Sequence, residues 1–428
     1  MMHAIYEQAI AKAGAITPHW LQPRQQAAAE SLQAIPVPGR KSEHWKYAPL
    51  SAMAAIELGA HSGQSQPEPT ELAHCDDALT LVFSDGVIVN HLSCQSWPAG
   101  CSVETFKGLS DHSQSVVDDL LGEACPDRSG LVGCVSEATM TDGVFIDIAA
   151  NTQLMQPLRI IWHASADCAW QSTRVLVRVA DNAVVKIVEQ FLAGAKPASD
   201  YHGVTELYVG AGAAVDYCRL NHSQAQQSFL GGVFSRLDRA ATLRLFAYAE
   251  GGRLCRNEIG VLLAAEGAHA QVDGLYLPKG QEVVDFHTTL EHAAPHCTSE
   301  EIFRGIIGDR ANAVFNGRIH IHKHAQKTNA QLSNKNLLTS DRAQVNTKPE
   351  LEIYANDVQC GHGATVSQLD NEAVHYLRTR GVPEDVAVQL IALGFVMALL
   401  ERMPISELSE WLGHHVKTRC TGLLLGDQ

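Results

Sequence analysis

A short internal repeat in the middle of the chain restricts its possible folds more than any other feature. Each copy has a turn residue, then Ala, then one further residue and a small or β-branched residue that opens a predicted strand. Successive copies lie 27 to 32 residues apart, except for one interval of 43 residues that we interpret as an insertion around 286–302. The central alanines are Ala183, Ala213, Ala240, Ala268, Ala311 and Ala343. This period is typical of a β-solenoid in which each coil buries its neighbour's face, with the small Ala at a tight inward corner.

The repeat therefore predicts a mainly β fold, with a β-solenoid core at about residues 76–364. Residues 1–75 are predicted to form an N-terminal helical region, because the segments His3–Ala15 and Trp20–Ile35 are rich in Ala, Gln, Glu and Leu. Residues 365–428 are predicted to form a C-terminal helical region. A β-sandwich with hairpins of similar spacing is the alternative architecture.

The charge balance and the apolar segments argue against two classes of partner. The chain has 32 Lys and Arg against 47 Asp and Glu, for a net charge of −15. Nucleic-acid binding and binding to a membrane surface both need a basic face, so neither is expected. No segment reaches the ~18 uncharged apolar residues of a membrane span, and the first residues lack a basic start followed by an apolar run.

The cysteines and the missing motifs exclude further kinds of site. Eleven cysteines are scattered along the chain, an odd number with no framework spacing, which indicates reduced thiols in the cytoplasm. No two cysteines have C-x-x-C spacing, so a self-contained zinc ribbon or ferredoxin-type cluster is not expected. The chain also has no P-loop, so it is not expected to hydrolyse nucleotide through such a motif.

Three histidines alternate in one predicted strand and form a conspicuous candidate metal site. His320, His322 and His324 would share one face of an extended strand. Three imidazoles suit a hydrolytic zinc ion. A solvated ladder of histidines is the alternative, because the local sequence offers no carboxylate to orient the rings. The structural interpretation is the one we favour.

A second candidate site lies at Cys360 and His362. These residues are two apart, so they would lie on one side of a strand, and glycines flank His362 and allow a bulky ligand to approach. A thiolate and an imidazole can bind a soft metal or an iron–sulfur cluster. Two ligands are too few for a closed site, so further donors would come from another chain. The alternative is a buried cysteine beside a turn histidine.

An unusually apolar helix is predicted near the C-terminus. Pro383 and the acids after it form a helix-start signal. The segment Val386–Leu400 contains Gln389 as its one polar side chain. A helix that is apolar on nearly every side has more apolar surface than one core contact needs. Burial in a helical bundle and docking against another protein are both compatible with this pattern.

Several motifs in fixed order closely resemble the SufB/SufD family of the SUF iron–sulfur cluster assembly system. The motifs are Val314–Arg318, Ala325–Asn329, Asn334–Leu338, Thr347–Ala355, Asp357–Thr365 and Tyr376–Gly381, with an upstream match at Glu43–Leu50. The chain has Gly363 after His362 where SufB members typically have Glu. It therefore resembles the SufD branch of the family more than the SufB branch.

The resemblance implies a fold, a function and partners. The fold is a right-handed parallel β-helix between helical ends, in agreement with the repeat. The function is that of a non-catalytic scaffold subunit that also contributes to iron acquisition. Such a subunit is expected to pair with SufB through the β-helix and to bind SufC, the ATPase that hydrolyses the nucleotide. The resemblance also leaves room for a homodimer of the isolated chain.

The resemblance also implies roles for particular residues. Cys360 and His362 are expected at the SufB interface, facing a SufB cysteine and sharing a transient iron–sulfur cluster with it. The strand Gln331–Leu338 matches the SufB strand that carries this cysteine and has no cysteine here. No cofactor is expected to bind tightly to the isolated chain, whereas reduced flavin is a candidate ligand of the whole complex. The residues expected to contact SufC are Pro383, Val386, Leu390, Leu393, Phe395 and Leu399.

Two functions of other classes remain as alternatives. One is a zinc-dependent hydrolase that uses His320, His322 and His324. The other is a carbohydrate-active enzyme on a β-helix. Such enzymes need paired carboxylates on an exposed coil face with aromatic rings for stacking, and the sequence offers no convincing pair.

Overall fold

A computed structural model describes most of the chain. The described residues are 17–36, 38–39, 41–48, 79–124, 130–140, 142–164, 170–192, 200–222 and 226–425. The helix predicted at His3–Ala15 lies outside these ranges. The second predicted helix is confirmed, because a helix occupies Gln22–Ala34.

The described residues contain six α-helices and nineteen β-strands. The helices are α1 (Gln22–Ala34), α2 (Asp111–Leu120), α3 (Leu131–Thr139), α4 (Asn371–Thr379), α5 (Glu384–Leu400) and α6 (Ser409–Leu425). The strands are β1 (Leu79–Ser84), β2 (Val87–Ile88), β3 (Cys101–Thr105), β4 (Val144–Ile148), β5 (Gln153–His163), β6 (Trp170–Val179), β7 (Val184–Phe191), β8 (Asp200–Val209), β9 (Ala214–Asn221), β10 (Ser228–Leu237), β11 (Thr242–Ala249), β12 (Leu254–Leu263), β13 (His269–Tyr276), β14 (Val283–His292), β15 (Thr298–Ile307), β16 (Asn312–Ile321), β17 (Asn329–Leu338), β18 (Gln344–Ile353) and β19 (Gln359–Gln368).

The strands form a β-helix with two long walls. One wall is a ten-stranded sheet in the order β19-β17-β15-β13-β11-β9-β7-β5-β1-β2, and the other is a nine-stranded sheet in the order β18-β16-β14-β12-β10-β8-β6-β4-β3. From β4 onward the chain alternates between the walls, and neighbouring strands in each wall run parallel. The β-helix prediction is thus confirmed, and the β-sandwich alternative is wrong. Strands β8 and β10 are buried along almost their whole length, because both of their faces are covered.

One corner of the β-helix repeats a left-handed backbone conformation in seven successive coils. The positive φ angles at this corner belong to Asn151, Asn182, Gly212, Ala240, Gly267, His296 and Lys327. The corners stack through the backbone; for example, the N–H of Asn182 donates to the carbonyl of Ala211 in the next coil. From the second of these corners onward, the residue after the positive-φ position is buried, as Ala183 and Ala268 are.

The repeating corner predicted from the sequence exists in the structure, but two details of the prediction are wrong. Ala240 is not the inward residue, because it is exposed with a φ of 57°, and Ala241 is buried in its place. The insertion expected around 286–302 does not exist, because those residues form β14, β15 and their connection. Ala268 precedes a strand of the ten-stranded wall, whereas Ala311 precedes a strand of the nine-stranded wall. The 43-residue interval therefore joins two different corners.

Helices cover the outer faces of both walls. Helices α1 and α3 share a buried apolar cluster with outward residues of the nine-stranded wall, including Leu176 and Phe234. Helices α5 and α6 share another cluster with outward residues of the ten-stranded wall, including Leu220 and Tyr248. The molecule is therefore a layered structure of helix, sheet, sheet and helix around one interior core. No helix in the described ranges is both long enough and apolar enough to cross a membrane.

Candidate functional site

The β-helix ends in two strands that each have a free edge. Strand β18 pairs with β16 and strand β19 pairs with β17, and in the described part of the chain no further strand pairs with either. Most residues of β19 are exposed, and those of β18 are mostly half-buried. Unpaired N–H and C=O groups on an edge strand can accept another strand. This end of the β-helix is hereafter the open end.

Cys360 and His362 lie on β19 and face the mouth of the interior at the open end. Cys360 is in register with Ala330, and His362 is in register with Leu332. Ala330 and Leu332 belong to the interior apolar core, and Cys360 packs against that core. Because alternate residues of a strand share a face, His362 lies on the same side as Cys360. The prediction that the two donors lie on one side of a strand is confirmed.

The two donors differ in their exposure and in their surroundings. Cys360 is half-buried and His362 is exposed. Burial raises the pKa of the Cys360 thiol, so a metal or a neighbouring positive charge would be needed to hold it as a thiolate at neutral pH. A Cβ built on Gly363 would have no atom of the described chain within 4 Å. The space beside His362 is therefore open to a ligand.

Cys360 stands out among the cysteines that the structure describes. Apart from Cys360 and Cys94, each described cysteine is buried. Burial raises the pKa of the Cys101 thiol to about 11 and that of Cys420 to about 12. Buried thiols of this kind are inert, so they behave as small apolar side chains.

The described residues supply no third ligand next to Cys360 and His362. Two groups of at least three His, Cys, Asp or Glu side chains converge in the described ranges, and neither group contains these two residues. A labile metal or cluster site at this position would thus be completed by donors from outside the described chain.

One of the converging groups contains two members of the histidine triplet. His320 and His322 stack with their ring centroids 4.6 Å apart, and Glu291 of the neighbouring strand completes the group. His324 is exposed at the following corner and is not part of the group. Sequence inspection missed Glu291, although one coil of 29 residues separates it from His320, with which it is in register.

The contacts within this group are those of an ion-pair network. The ring of His322 contacts Glu291 through Nε2 at 2.5 Å. Arg318 donates two hydrogen bonds to Glu352 and lies 3.4 Å from Nδ1 of His320. Burial, with the neighbouring His322 and Arg318, lowers the pKa of His320. The carboxylates of Glu291 and Glu352 are thus each paired with a side chain of β16 or of the residue that follows it.

The predicted partner-binding residues of α5 differ in their exposure. Val386 and Leu390 are exposed, with 39% and 51% of their surface accessible. Pro383 is exposed at the start of the helix, and Leu393 and Phe395 are half-buried. The ring of Phe395 contacts the guanidinium of Arg304, with 5.6 Å between the guanidinium carbon and the ring centroid.

Leu399 does not belong with the exposed residues of α5. It is fully buried in the cluster between α5, α6 and the ten-stranded wall, so a partner that docks on the surface cannot contact it. Met397, with 40% of its surface accessible, lies seven residues after Leu390 and hence on the same helix face. Val386, Leu390, Leu393 and Met397 form an apolar strip along α5, hereafter the α5 strip.

The chain matches two protein-family models that together cover most of its length. Residues 161–395 match the model described as "SUF system FeS cluster assembly, SufBD core domain". Residues 2–160 match the model described as "SufBD protein N-terminal region". The core model alone spans more than half of the chain.

Curated relatives agree with the family models. The chain is 29% identical over 388 residues to the iron–sulfur cluster assembly protein SufD of Escherichia coli, covering 89% of each chain. It is 29% identical over 410 residues to an iron–sulfur cluster assembly SufBD family protein of Synechocystis, covering 92% of this chain and 90% of the relative. It is 25% identical over 286 residues to the SufD protein of Bacillus subtilis, covering 64% and 63%. Together with the β-helix and its open end, these matches show that the chain belongs to the SufBD family of the SUF iron–sulfur cluster assembly system.

Proposed function

We propose that this chain is the SufD-type, non-catalytic scaffold subunit of a SUF complex, and that it pairs with SufB through its open end. The observation that carries the proposal is the position of Cys360 and His362 on an unpaired edge strand, facing the mouth of the interior. Two soft donors at a free edge are suited to a site that two chains complete together.

The surface of the open end supports pairing with another β-helix. Ile353, Tyr354 and Val366 are large apolar residues exposed there, with 40% to 61% of their surface accessible. Pairing of β18 and β19 with strands of a second β-helix would continue both sheets and satisfy the edge hydrogen-bonding groups. SufB is the expected partner in the complex, and a second copy of this chain is the expected partner when the chain is isolated.

The donor set suits a cluster that is built and then released. Fe–S clusters that stay bound have a full set of protein ligands, most often four thiolates, whereas Cys360 and His362 offer one thiol and one imidazole. Cys360 and His362 would share the nascent cluster with a SufB cysteine, and the cluster is cargo here, not a resident cofactor. Contribution to iron acquisition and reduced flavin bound by the whole complex remain part of the same proposal.

The C-terminal helices are the proposed docking site for SufC. The α5 strip exposes apolar side chains on a helix whose opposite face is buried against α6 and the ten-stranded wall. ATP hydrolysis belongs to SufC in this proposal, and motion of SufC reaches the β-helix through the packed face of α5. The complex is expected in the cytoplasm, where thiols stay reduced.

Co-purification and anaerobic reconstitution test the cluster site. The variants Cys360→Ala, His362→Ala and their combination are each expressed with SufB and SufC, and the matched control is Cys94→Ala, which removes the other described cysteine that is not buried. The Cys360 and His362 variants are expected to assemble the complex and to build little cluster, as measured by iron and sulfide content and by visible absorption. The control is expected to match the unmodified complex.

Two outcomes would contradict the proposal. Full cluster yield from the double variant would remove Cys360 and His362 from the assembly site. Failure of the unmodified chain to co-purify with SufB would remove the open end as the pairing surface. The zinc-hydrolase alternative requires all three histidines as ligands, and His324 stands apart from His320 and His322.

A further inference from the structure

A second group of converging side chains joins the last helix to the β-helix. His222 follows β9, Glu250 follows β11, and His415 lies on α6. One ligand atom from each of the three residues lies within 4.8 Å of the other two. The group lies on the outer face of the ten-stranded wall, whereas Cys360 and His362 lie at its open end.

Both imidazoles point at the same carboxylate oxygen. Nδ1 of His222 lies 3.0 Å from Oε1 of Glu250, and Nε2 of His415 approaches the same oxygen. Zinc binds nitrogen and oxygen ligands at about 2.0–2.1 Å, which sets the ligand atoms of a tetrahedral site roughly 3.3 Å apart. An outward shift of less than about 1 Å would therefore give each imidazole nitrogen the distance from the carboxylate oxygen that such a site requires.

The surroundings of the group hold it in place and leave one side accessible. Glu250 and His222 are nearly buried, whereas the side chain of His415 is 36% exposed. The ring of Trp411 stacks on that of His415 at 5.7 Å and meets the edge of His222 at 5.3 Å. Nε2 of His222 is buried and has no hydrogen-bond partner among the described residues. The accessible side at His415 allows a water molecule to provide a fourth ligand.

The nearby charges are compatible with a bound cation. The guanidinium of Arg419 lies beside the group and donates to Glu282 and to the backbone carbonyls of Leu277 and Glu250. Its Nη1 is 3.8 Å from Oε2 of Glu250, beyond hydrogen-bond distance. The two carboxylates of Glu250 and Glu282 outnumber the single guanidinium of Arg419 that forms ion pairs with both of them. A divalent cation would meet a favourable local charge.

We propose that His222, Glu250 and His415 form a binding site for one divalent transition-metal ion of the zinc class, which fastens α6 to the β-helix. Two imidazoles and one carboxylate are a known zinc-ligand set with an open fourth position. The ion would replace two hydrogen bonds to Glu250 with metal–ligand bonds that cross from the last helix to two coils of the β-helix. Its expected role is structural, because α6 covers the ten-stranded wall.

Cobalt substitution tests the site on the full chain. The metal-free protein is titrated with Co²⁺, whose visible absorption intensifies in a tetrahedral site, and Zn²⁺ is then added to displace it. The variants are His415→Ala and His222→Ala, and the matched control is His414→Ala, which removes the neighbouring exposed histidine of α6. All titrations use the His320→Ala and His322→Ala background, which removes the other converging group.

The expected result is one Co²⁺ per chain with intense visible bands, displaced by one Zn²⁺. Removal of His222 or His415 is expected to weaken binding by about 100-fold or more, since loss of even a supporting contact to a metal ligand costs 10–100-fold. The His414→Ala control keeps full affinity, and Zn²⁺ slows hydrogen exchange of α6 amides in the background protein and in this control but not in the His222→Ala or His415→Ala variants. Absence of tetrahedral bands, or equal affinity in all variants, would overturn the proposal and leave the group as a metal-free ion-pair network.

Discussion

Small residues at the inner corner of each coil limit how closely consecutive coils can stack. Ala268 is fully buried there, whereas Ala240 of the preceding coil is exposed beside the corner. Ala268→Leu should force extra methylene groups into a packed corner and lower the free energy of unfolding by about 1–3 kcal/mol. Ala240→Leu is the matched control, and it should change stability by less than about 0.5 kcal/mol because the new side chain extends into solvent. Urea denaturation of both variants measures the difference, and equal losses would show that the corner has room for a larger residue.

A buried carboxyl group inside the β-helix makes a pH-dependent contribution to stability. Burial raises the pKa of Glu301 to about 8, and Oε1 accepts a hydrogen bond from Thr288 at 2.6 Å. Because the folded pKa lies above the unfolded value of 4.5, the folded state holds the proton more tightly. This contribution is complete below about pH 4.5 and is lost as the pH rises through about 8.

Glu301→Gln isolates this contribution, because the amide keeps the shape of the side chain and cannot ionise. Between pH 5 and pH 9 the unmodified chain should lose stability relative to the variant, by an amount on the order of a few kcal/mol. Denaturant midpoints across this pH range give the measurement. Parallel pH profiles for the two proteins would mean that Glu301 does not carry a raised pKa.

At the scale of secondary-structure elements, α5 shows why the binding face of an almost wholly apolar helix cannot be identified from its sequence. Its buried residues and the α5 strip are both apolar, so periodicity alone could not separate Leu399 from Met397. The packing of α6 and the ten-stranded wall makes the distinction. Removal of α5 and α6 would also uncover the apolar outer face that includes Leu220 and Tyr248, so point substitutions test docking more cleanly than truncation.

Charged substitutions on the α5 strip should weaken SufC binding without unfolding the chain. Leu390→Glu and Met397→Glu place a carboxylate where docking would exclude water, and each should reduce the affinity for SufC at least about tenfold. Lys417→Glu, an exposed site on α6, is the control for added negative charge. Calorimetric titration with SufC measures the affinities. Unchanged affinity in both strip variants would exclude this face as the docking surface.

The β-helix could be predicted from the sequence, but the residue that occupies the inward corner of each coil could not, and the reason is physical. Any small side chain fits the inward corner, so Cys297 occupies one corner without matching an Ala template. Ala240 and Ala241 are also indistinguishable in the sequence. Only the backbone conformation shows that Ala240 has the positive φ and that Ala241 is the inward residue. Cys360 and His362 could be placed on one face because strand alternation is local. Glu291 and Glu250 could not be paired with their histidines, because those contacts depend on the register of neighbouring coils or on the packing of α6.

At the scale of the whole molecule, the two ends of the β-helix differ, and the difference favours the addition of further strands at the open end. At the first end, β2 and β3 are joined to the walls by antiparallel pairing, which interrupts the parallel ladders. At the open end, β18 and β19 each pair in parallel with one strand of their own wall, and among the described residues no strand pairs with their other edge. A second β-helix can continue the sheets at the open end without a change of strand direction.

Lysine substitutions at the open end should therefore block association of whole chains. Tyr354→Lys together with Val366→Lys places two positive charges where the edges of both walls would meet a partner, and charged edges oppose strand pairing. The double variant should fold normally, fail to co-purify with SufB, and run as a monomer under conditions where the unmodified chain dimerises. Val87→Lys is the control at the opposite end, because Val87 is also exposed, with 64% of its surface accessible. Light scattering coupled to gel filtration measures the mass of each species, and association of the double variant equal to that of the control would place the pairing surface elsewhere on the molecule.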